Sequence, residues 1–587
     1  MRTNFQENRQ SKSRVYAVLR RLLPGLGLAW CGVFSFALAQ TAPDAGRLQR
    51  ELEASQREPE RVKKSPAPFT LPLDAKPLAE QEDAPRILVK SFRVSGNLAV
   101  PAADLGERLR PWVGRELSMA NLMQAVQDVT QIYRDRGYIL ARAYLPSQEV
   151  NDGVIEIAVL EGRLDRVVVQ PQDEVRIRDD VLVETIRNAL PEQGQIRVDD
   201  LDHGLRILND LPGLDVRSLL VPGEDVGTTA IHLEVEEGPL ISGLAGVDNQ
   251  GGRYTGSATG YASFDLNDPS GRGDQGSLRF AQSSGLRYAR IGYLVPVGRS
   301  GLKLGLAHAH TRYRLCCEFQ SLDATGKAAT TSAGLTLALH RSRPAHLSAS
   351  LNLNAKKFLN RTGAGVSSDK TLNSLDLGLD GALFQGELRN TQSRFRASVT
   401  LGRVNLDGWQ PDRDADRTTA RTHGDFAKAD WHLSHLRPLG AVDLFAAFSG
   451  QLASKNLDSA EKFSLGGARG VRAYPLGEAT GDEGWLLNLE LRKPLGPDWQ
   501  VSTFIDHGRI RLHKETWPGW QTSSDTPPPG YALSGYGLAV ARQTSGLLLR
   551  GSLANRMGSN PGRDANGKDS DGTAKNLRLW MELQATF

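Results

Sequence analysis

Cysteine is almost absent, with three in 587 residues. Cys31 falls in an N-terminal leader, which leaves only the adjacent pair Cys316 and Cys317. A chain with so few thiols is not stapled by disulfides and must be large enough to hold itself together by other means. The adjacent pair could close a vicinal disulfide or stay as two reduced loop thiols, and the sequence leaves both open. Long apolar runs are also missing: beyond residue 39 no stretch of about 18 apolar residues occurs, so the chain after the leader has no transmembrane helix. Charge of one sign is lacking too. The formal net charge of +4 comes from residues 1–39, which hold six of the 71 Lys/Arg and one of the 67 acids, leaving 65 basic against 66 acidic residues. A basic field able to capture nucleic acid is therefore absent.

Enzyme signatures are equally scarce. Gly326-Lys327 resembles the end of a phosphate-binding loop, but Ser321 stands where Gly is needed and Ala328 where a hydroxyl would hold magnesium. There is no His-Glu-x-x-His and no nucleophile elbow. The acidic groupings Asp412, Asp414, Asp416 and Asp569, Asp571 could bind calcium weakly, but are expected in solvated extracellular loops. The expectation is a protein without catalytic residues, cofactor or metal.

The leader has a basic start (Arg2, Arg9, Lys12, Arg14, Arg20, Arg21), an apolar stretch from Leu22 to Leu38, and Ala37-Leu38-Ala39 before Gln40. That layout is a secretory signal peptide over 1–39, cut after Ala39. Pro24 and three Gly argue against an uncleaved anchor, and the bulky Trp30 before Cys31 fits a lipoprotein site badly.

Residues 40–58 carry a short, very polar helix over 43–58, with Leu48 and Leu52 one turn apart and Pro59 ending it. Six prolines then punctuate an extended linker over 59–85. Residues 86–162 form one compact module. Ile87–Val94 is a strand, Pro101 opens a helix, and a second helix from Met119 aligns Leu122, Val126, Val129 and Tyr133 on one buried face, stopped by Gly137. Strands Ile139–Leu145 and Val154–Leu160 follow. The same β-α-α-β-β order recurs over 163–238, with Leu201, Leu205, Leu208 and Leu211 on the face of its second helix. Two such modules, small and free of polar clefts, read as binding modules.

From residue 239 helical periodicity disappears. Segments of roughly ten residues alternate apolar and polar between Gly/Asp/Asn/Ser-rich turns, the pattern of a membrane β-barrel. In the last, Leu577, Leu579, Met581, Leu583, Ala585 and Phe587 are expected to face lipid and Arg578, Trp580, Glu582, Gln584 and Thr586 the lumen. Another places Leu486, Asn488, Glu490 and Arg492 inward. Residues 239–587 allow about 16 antiparallel strands at roughly 22 residues each with loops.

The most informative segment starts Phe463-Ser464-Leu465-Gly466-Gly467-Ala468-Arg469-Gly470-Val471-Arg472-Ala473-Tyr474-Pro475. Its glycines interrupt a strand and predict a long loop. Some thirty residues on, Phe504, Asp506 and Gly508 share the lumenal face of a strand. A carboxylate in an enclosed lumen needs a partner, and a loop folded inward would bring Arg472 to it. Spacing alone favours the plainer alternative, a surface Arg and a water-facing Asp.

The chain resembles TpsB transporters of two-partner secretion, the haemolysin secretion/activation family of ShlB/FhaC/HecB type. The resemblance rests on Tyr133 to Tyr138 (YRDRGY) with Gly137, then Arg142-Ala143-Tyr144-Leu145-Pro146. It continues with Leu211-Pro212-Gly213, Pro222-Gly223, Asp248-Asn249 with Gly251 and Gly256, and the two segments above. It implies that the modules are POTRA domains, that 43–58 can plug the pore, and that Val471, Arg472, Ala473 and Tyr474 form an inward loop whose Arg472 pairs with Asp506 of the Phe504-x-Asp506-x-Gly508 strand. Ala473 stands where the superfamily often has Gly. The implied function is export of a large haemolysin-, haemagglutinin- or adhesin-like TpsA exoprotein across the Gram-negative outer membrane, with POTRA domains in the periplasm. Implied partners are that exoprotein, outer-membrane lipid and lipopolysaccharide, and periplasmic chaperones and barrel-assembly machinery during biogenesis. A barrel-assembly factor uses the same architecture, whereas a passive porin or surface adhesin leaves the modules and inward loop without a purpose.

Overall fold

Period-2 alternation and strong turn residues set most elements of the computed structural model, which describes residues 42–56, 69–70, 85–191, 194–386, 390–520 and 527–587. The signal peptide expected over 1–39 and most of the linker lie outside the described residues. The first helix, α1, spans Ala45–Gln56, and two linker residues form β1, Phe69–Thr70.

In the first module the single strand expected over 87–94 is two, β2 (Arg86–Val89) and β3 (Ser91–Ser95). The break is at Lys90, whose N–H donates to Gly153 O at 2.8 Å. Helix α2 (Ala102–Leu109) begins after Pro101. An extra strand, β4 (Arg115–Ser118), pairs with β2. Helix α3 (Met119–Asp135) starts at a reciprocal cap, in which Ser118 Oγ accepts Asn121 N–H and Asn121 Oδ1 accepts Ser118 N–H, at 3.3 and 3.2 Å. Its Leu122, Val126, Val129 and Tyr133 are buried. The following strand is shorter than expected: β5 covers only Arg142–Tyr144. Gly137, at φ +87°, ends α3, and Tyr138 N–H returns to Tyr133 O at 2.9 Å, so residues 138–141 turn before pairing starts. β6 (Val154–Leu160) pairs with β3 in parallel and with β5 in antiparallel fashion.

The second module runs β7 (Arg163–Pro171), α4 (Asp179–Ala189), α5 (Val198–Asn209), β8 (Leu214–Pro222) and β9 (Thr228–Glu237). Its sheet has the order β1-β8-β9-β7. The linker strand β1 therefore lies on the outer edge of β8, in parallel, with Phe69 opposite Ser218 and Thr70 opposite Leu219. This edge is thus partly covered by the chain itself.

Sixteen antiparallel strands then close a barrel. They are β10 (Ile241–Asp248), β11 (Thr259–Asn267), β12 (Gln275–Gln282), β13 (Leu286–Val297), β14 (Leu302–Arg314), β15 (Thr325–Arg341), β16 (Ala345–Thr362), β17 (Gly365–Gln385) and β18 (Thr391–Asn405). After the short helix α6 (Gln410–Thr418) come β19 (Gly424–Leu439) and β20 (Val442–Ala453). The small hairpin β21 (Phe463–Ser464) and β22 (Thr480–Gly481) lies within a loop. β23 (Glu483–Leu495), β24 (Trp499–Arg511), β25 (Gly530–Gln543), β26 (Leu547–Arg556) and β27 (Leu577–Thr586) complete the wall, and β27 pairs back onto β10.

Alternation sorts the wall as lipid outside and a filled lumen require. On β27 Leu577, Leu579, Met581 and Leu583 are exposed on the outer wall, whereas Trp580, Glu582 and Gln584 are buried inside. The second module docks at one end of the barrel: Arg341 Nε–H donates to Asp210 at 2.6 Å and Arg299 Nε–H to Glu184 at 3.0 Å. The longer loops lie at the other end.

Candidate functional site

The lumen contains two segments of the chain. Helix α1 is polar, but Ala45 and Leu48 form an apolar stripe that joins Tyr254, Tyr313, Phe358 and Leu372 in one buried cluster. Around the stripe, polar groups are paired. Ala45 N–H donates to Asn360 Oδ1 at 2.9 Å, and Gln49 shares a hydrogen bond with Thr311. Arg47 donates to Glu51 at 2.9 Å and to Gly477 O at 3.2 Å, and Arg50 to Lys462 O at 2.5 Å. Lys370 of β17 bridges Asp44 at 3.0 Å and Asp458 at 2.7 Å. Burial pushes the Asp44 carboxyl up, but the Lys370 ammonium and the Ser459 hydroxyl outweigh it and hold the group at about 2.

The second segment is the loop over 454–482, which folds inward. Val471, Ala473 and Tyr474 are fully buried. Arg472 meets Asp506 of β24 with both ends of its fork, Nε–H to Oδ2 at 2.9 Å and Nη2–H to Oδ1 at 2.7 Å. Its backbone N–H donates to the same carboxylate at 3.0 Å, and Nη1–H donates to Glu490 at 2.6 Å. The guanidinium lies 3.4 Å from the centroid of the Phe504 ring. Spacing alone put both charges in water; the structure puts them in contact, with Asp506 fully buried.

Small residues make the approach possible. A Cβ at Gly508 would come within 2.7 Å of Leu465 of the loop, and one at Gly470 within 1.9 Å of Leu465 O. Ala473 needs no glycine: its φ is not positive, and its methyl group fits against the bare Cα of Gly535, where a Cβ would come within 2.7 Å of it.

Three partners were legible only as inward-facing positions. Glu490 is the second carboxylate on Arg472 and is also held by Arg492 at 2.7 Å. Asn488 donates to Asp506 at 2.7 Å and to Gly470 O at 3.1 Å. Trp580 Nε1–H donates to Arg472 O at 2.8 Å. Two lysine clusters were not read at all: Glu461 between Lys356 and Lys428, at 2.7 and 2.8 Å, and Lys462 on Asp482.

Some module motifs build the module itself and others lie at joints. Tyr133 is buried and its O–H donates to Glu161 at 2.9 Å. Burial, then the Glu161 hydrogen bond, push that phenol up. Glu161 also accepts the N–H groups of Leu98 and Ala99, both at 2.7 Å. Gly137 O accepts Val198 N–H at 3.0 Å, and Tyr138 lies under Arg197, so this turn joins the two modules. Arg142 and Tyr144 are exposed on β5, and Leu145 packs partly buried on the module core, with Gln148 Nε2–H donating to Pro146 O at 3.4 Å. Leu211 packs where a Cβ on Gly273 of the β11–β12 turn would strike it, and Gly213, φ +74°, faces Asn267. That turn joins module to barrel. Pro222 ends β8, and Gly223 closes the β8–β9 turn with an N–H to Thr228 O at 3.0 Å.

The acidic loop groupings depart from the solvated positions expected. Asp569 and Asp571 are buried and paired with Arg556, Arg563 and Arg578. Asp416 is buried and accepts N–H groups of Thr422 and His423 at 2.7 and 3.0 Å, whereas Asp414 stays on the exposed side of α6 and Asp412 accepts Ser368 Oγ–H at 2.7 Å. Among the described residues no three His, Cys, Asp or Glu converge as metal ligands. Cys316 and Cys317 are joined as a disulfide.

Residues 227–525 match the family described as haemolysin secretion/activation protein ShlB/FhaC/HecB, and residues 87–162 match the ShlB-type POTRA domain. The chain is 26% identical over 490 residues to the Heme/hemopexin transporter protein HuxB of Haemophilus influenzae, covering 82% of this chain and 86% of the relative. It is 25% identical over 457 residues to the outer membrane transporter CdiB of Dickeya dadantii, covering 73% of this chain and 77% of the relative. Its fold is similar to the solved structure of CdiB from Escherichia coli, with a TM-score of 0.69 at 21% identity, covering 94% of this chain and all of that one.

Proposed function

The chain belongs to the haemolysin secretion/activation protein family ShlB/FhaC/HecB, and from that premise we propose how it moves its cargo. The protein is an outer-membrane transporter of a TpsA-type exoprotein, with POTRA domains in the periplasm. In the state described, α1 is the plug of the pore and the 454–482 loop is the brace that keeps the lumen ordered. The observation that carries this reading is the placement of α1, tied to β17 through Lys370 and to the loop through Gly477 and Lys462. A helix held mainly by polar contacts can leave for water at small cost, because water replaces those contacts.

The exoprotein enters as an extended segment that adds to β8 by backbone hydrogen bonds, displacing β1. Support for this reading is that β8 already accepts a strand of the chain's own linker. The segment then passes through the lumen as α1 moves aside, and folding outside draws it on. No nucleotide-binding loop is present in the sequence to supply another drive. We read the protein as a transporter with no catalytic step. Lipid and lipopolysaccharide around the barrel, and chaperones and assembly machinery during biogenesis, are its other proposed partners.

The test is co-expression with candidate large exoproteins. The expected result is one that reaches the medium only when this protein is present; release of every candidate without it would remove the proposal.

A further inference from the structure

Four consecutive strands of the barrel, β13 to β16, contain ten Lys/Arg and no Asp or Glu. Some of these cations have partners. Lys356 turns inward to Glu461 at 2.7 Å, and at the periplasmic end Lys303 and Arg341 hold the second module through Asp210 at 2.7 and 2.6 Å. Four others, Arg287, Arg312, Lys327 and Lys357, are exposed and, among the described residues, make no hydrogen bond or ion pair.

Their direction follows from their neighbours. Tyr288, Tyr313, Ala328 and Phe358 are buried in the lumenal cluster around α1, so the adjacent Arg287, Arg312, Lys327 and Lys357 point to the outer wall. Register puts them side by side. Arg287 is directly opposite Arg312, and Arg312 is directly opposite Lys327. Lys357 pairs with Ala329, one outward position below Lys327. Like charges directly opposite one another on a sheet repel, so such a row calls for a counter-anion.

Height on the barrel indicates where that anion comes from. Going down the same outer columns toward the periplasmic end, past His310 and His308 of β14 and Thr331 of β15, the side chains become Ile291, Leu306, Leu335 and Leu353, all exposed and apolar. The cations therefore lie above the hydrocarbon band, at the end away from the POTRA modules, where the headgroups of the outer leaflet begin.

We propose that the outer wall of β13 to β16 is a binding site for the phosphate groups of lipopolysaccharide. Arg287 and Arg312 offer planar forks for phosphate oxygens, Lys327 and Lys357 add point charges, and the leucines beneath receive the acyl chains. The proposal rests on the outer-membrane reading of the barrel. It assigns no part in export to the site.

The test uses the full chain purified in detergent, as wild type and as the Arg287→Gln/Arg312→Gln/Lys327→Gln variant, each offered rough-type lipopolysaccharide, the same glycolipid stripped of phosphate, and inorganic phosphate. The wild type should retain phosphorylated glycolipid at least tenfold more than the triple variant, and neither should retain the stripped form. Inorganic phosphate at millimolar concentration should not displace the glycolipid. Equal retention by the triple variant, retention of the stripped form, or full displacement by inorganic phosphate would each overturn the assignment. Arg509→Gln, which removes an exposed cation of β24, should bind like the wild type. If the triple variant fails to fold, judged by heat-modifiable migration, the single Arg312→Gln change should still weaken retention severalfold, and no weakening overturns the proposal. Recovery of the wild type outside the outer-membrane fraction would instead remove the reading of the barrel itself.

Discussion

Arg472 and Asp506, 34 positions apart in sequence, make a two-pronged contact at 2.9 and 2.7 Å inside the barrel, closed by a third bond from the Arg472 backbone N–H at 3.0 Å. The arginine comes from a loop and the aspartate from the wall, so the contact ties one to the other. Because Glu490 shares the guanidinium at 2.6 Å, removing the cation leaves two carboxylates in a confined space.

Arg472→Ala is therefore expected to cost about 3–5 kcal/mol of local order and to lower export at least tenfold while the barrel still inserts. Export to the medium, compared with heat-modifiable migration of the membrane fraction, checks this; normal secretion would remove the loop from the mechanism. Exchanging the two charges should fail to restore export. Asp506 also accepts the Arg472 N–H and Asn488 Nδ2–H, which an arginine there cannot do, and an acid at 472 would face Glu490.

The hold on α1 depends on Lys370. Lys370→Met leaves Asp44 and Asp458 without their shared cation, and conductance in planar bilayers should rise toward that of a chain lacking residues 43–58. Unchanged conductance in both would mean that α1 does not close the pore. The pH response has a definite sign. The Asp44 carboxyl is depressed to about 2, so its contribution is complete above the ordinary carboxylate value near 3.8 and is lost as pH falls through about 2. Conductance of the wild type should stay flat from neutral pH to about pH 4, as far as this contact sets it, and climb only below.

Locking β1 to β8 tests the route of entry. Thr70 and Leu219 are directly paired, so a Thr70→Cys/Leu219→Cys chain should cross-link when oxidised. Export should stop in the oxidised form and return on reduction. Full export from the cross-linked form would exclude this edge as the docking strand.

Glu161 ties the first module together from within. Glu161→Ala leaves the N–H groups of Leu98 and Ala99 and the Tyr133 O–H without their acceptor. An orphaned buried donor costs about 1–3 kcal/mol, so thermal unfolding and protease resistance of the modules should fall clearly. Tyr133→Phe removes only one of these bonds and should have the milder effect.

The wall, the module helices and the order of domains were readable because each is a local pattern. Leu577 to Leu583 alternate in letters as they alternate across the wall, and Leu122 to Tyr133 recur at the spacing of one helix face. Even Glu490, Asn488 and Trp580 were marked as inward-facing by that periodicity, though not as partners of Arg472. Most elements that failed to read depend on contacts with no local trace. The break at Lys90 is made by Gly153 and the burial of Asp569 by arginines on β26 and β27, whereas the short β5 follows from the local turn after Gly137.

What the sequence determined by itself is a near-neutral, cysteine-poor chain of two small modules and a barrel, because hydrophobic period and turn chemistry act over a few residues. Tertiary structure alone decided that the 454–482 loop turns inward, that α1 lies in the lumen, that β1 covers the β8 edge, and that Arg287, Arg312, Lys327 and Lys357 line up on the outer wall. The first two require a lumen that only closure of the sheet creates, and the last two depend on strand register, which sets which residues stand opposite one another.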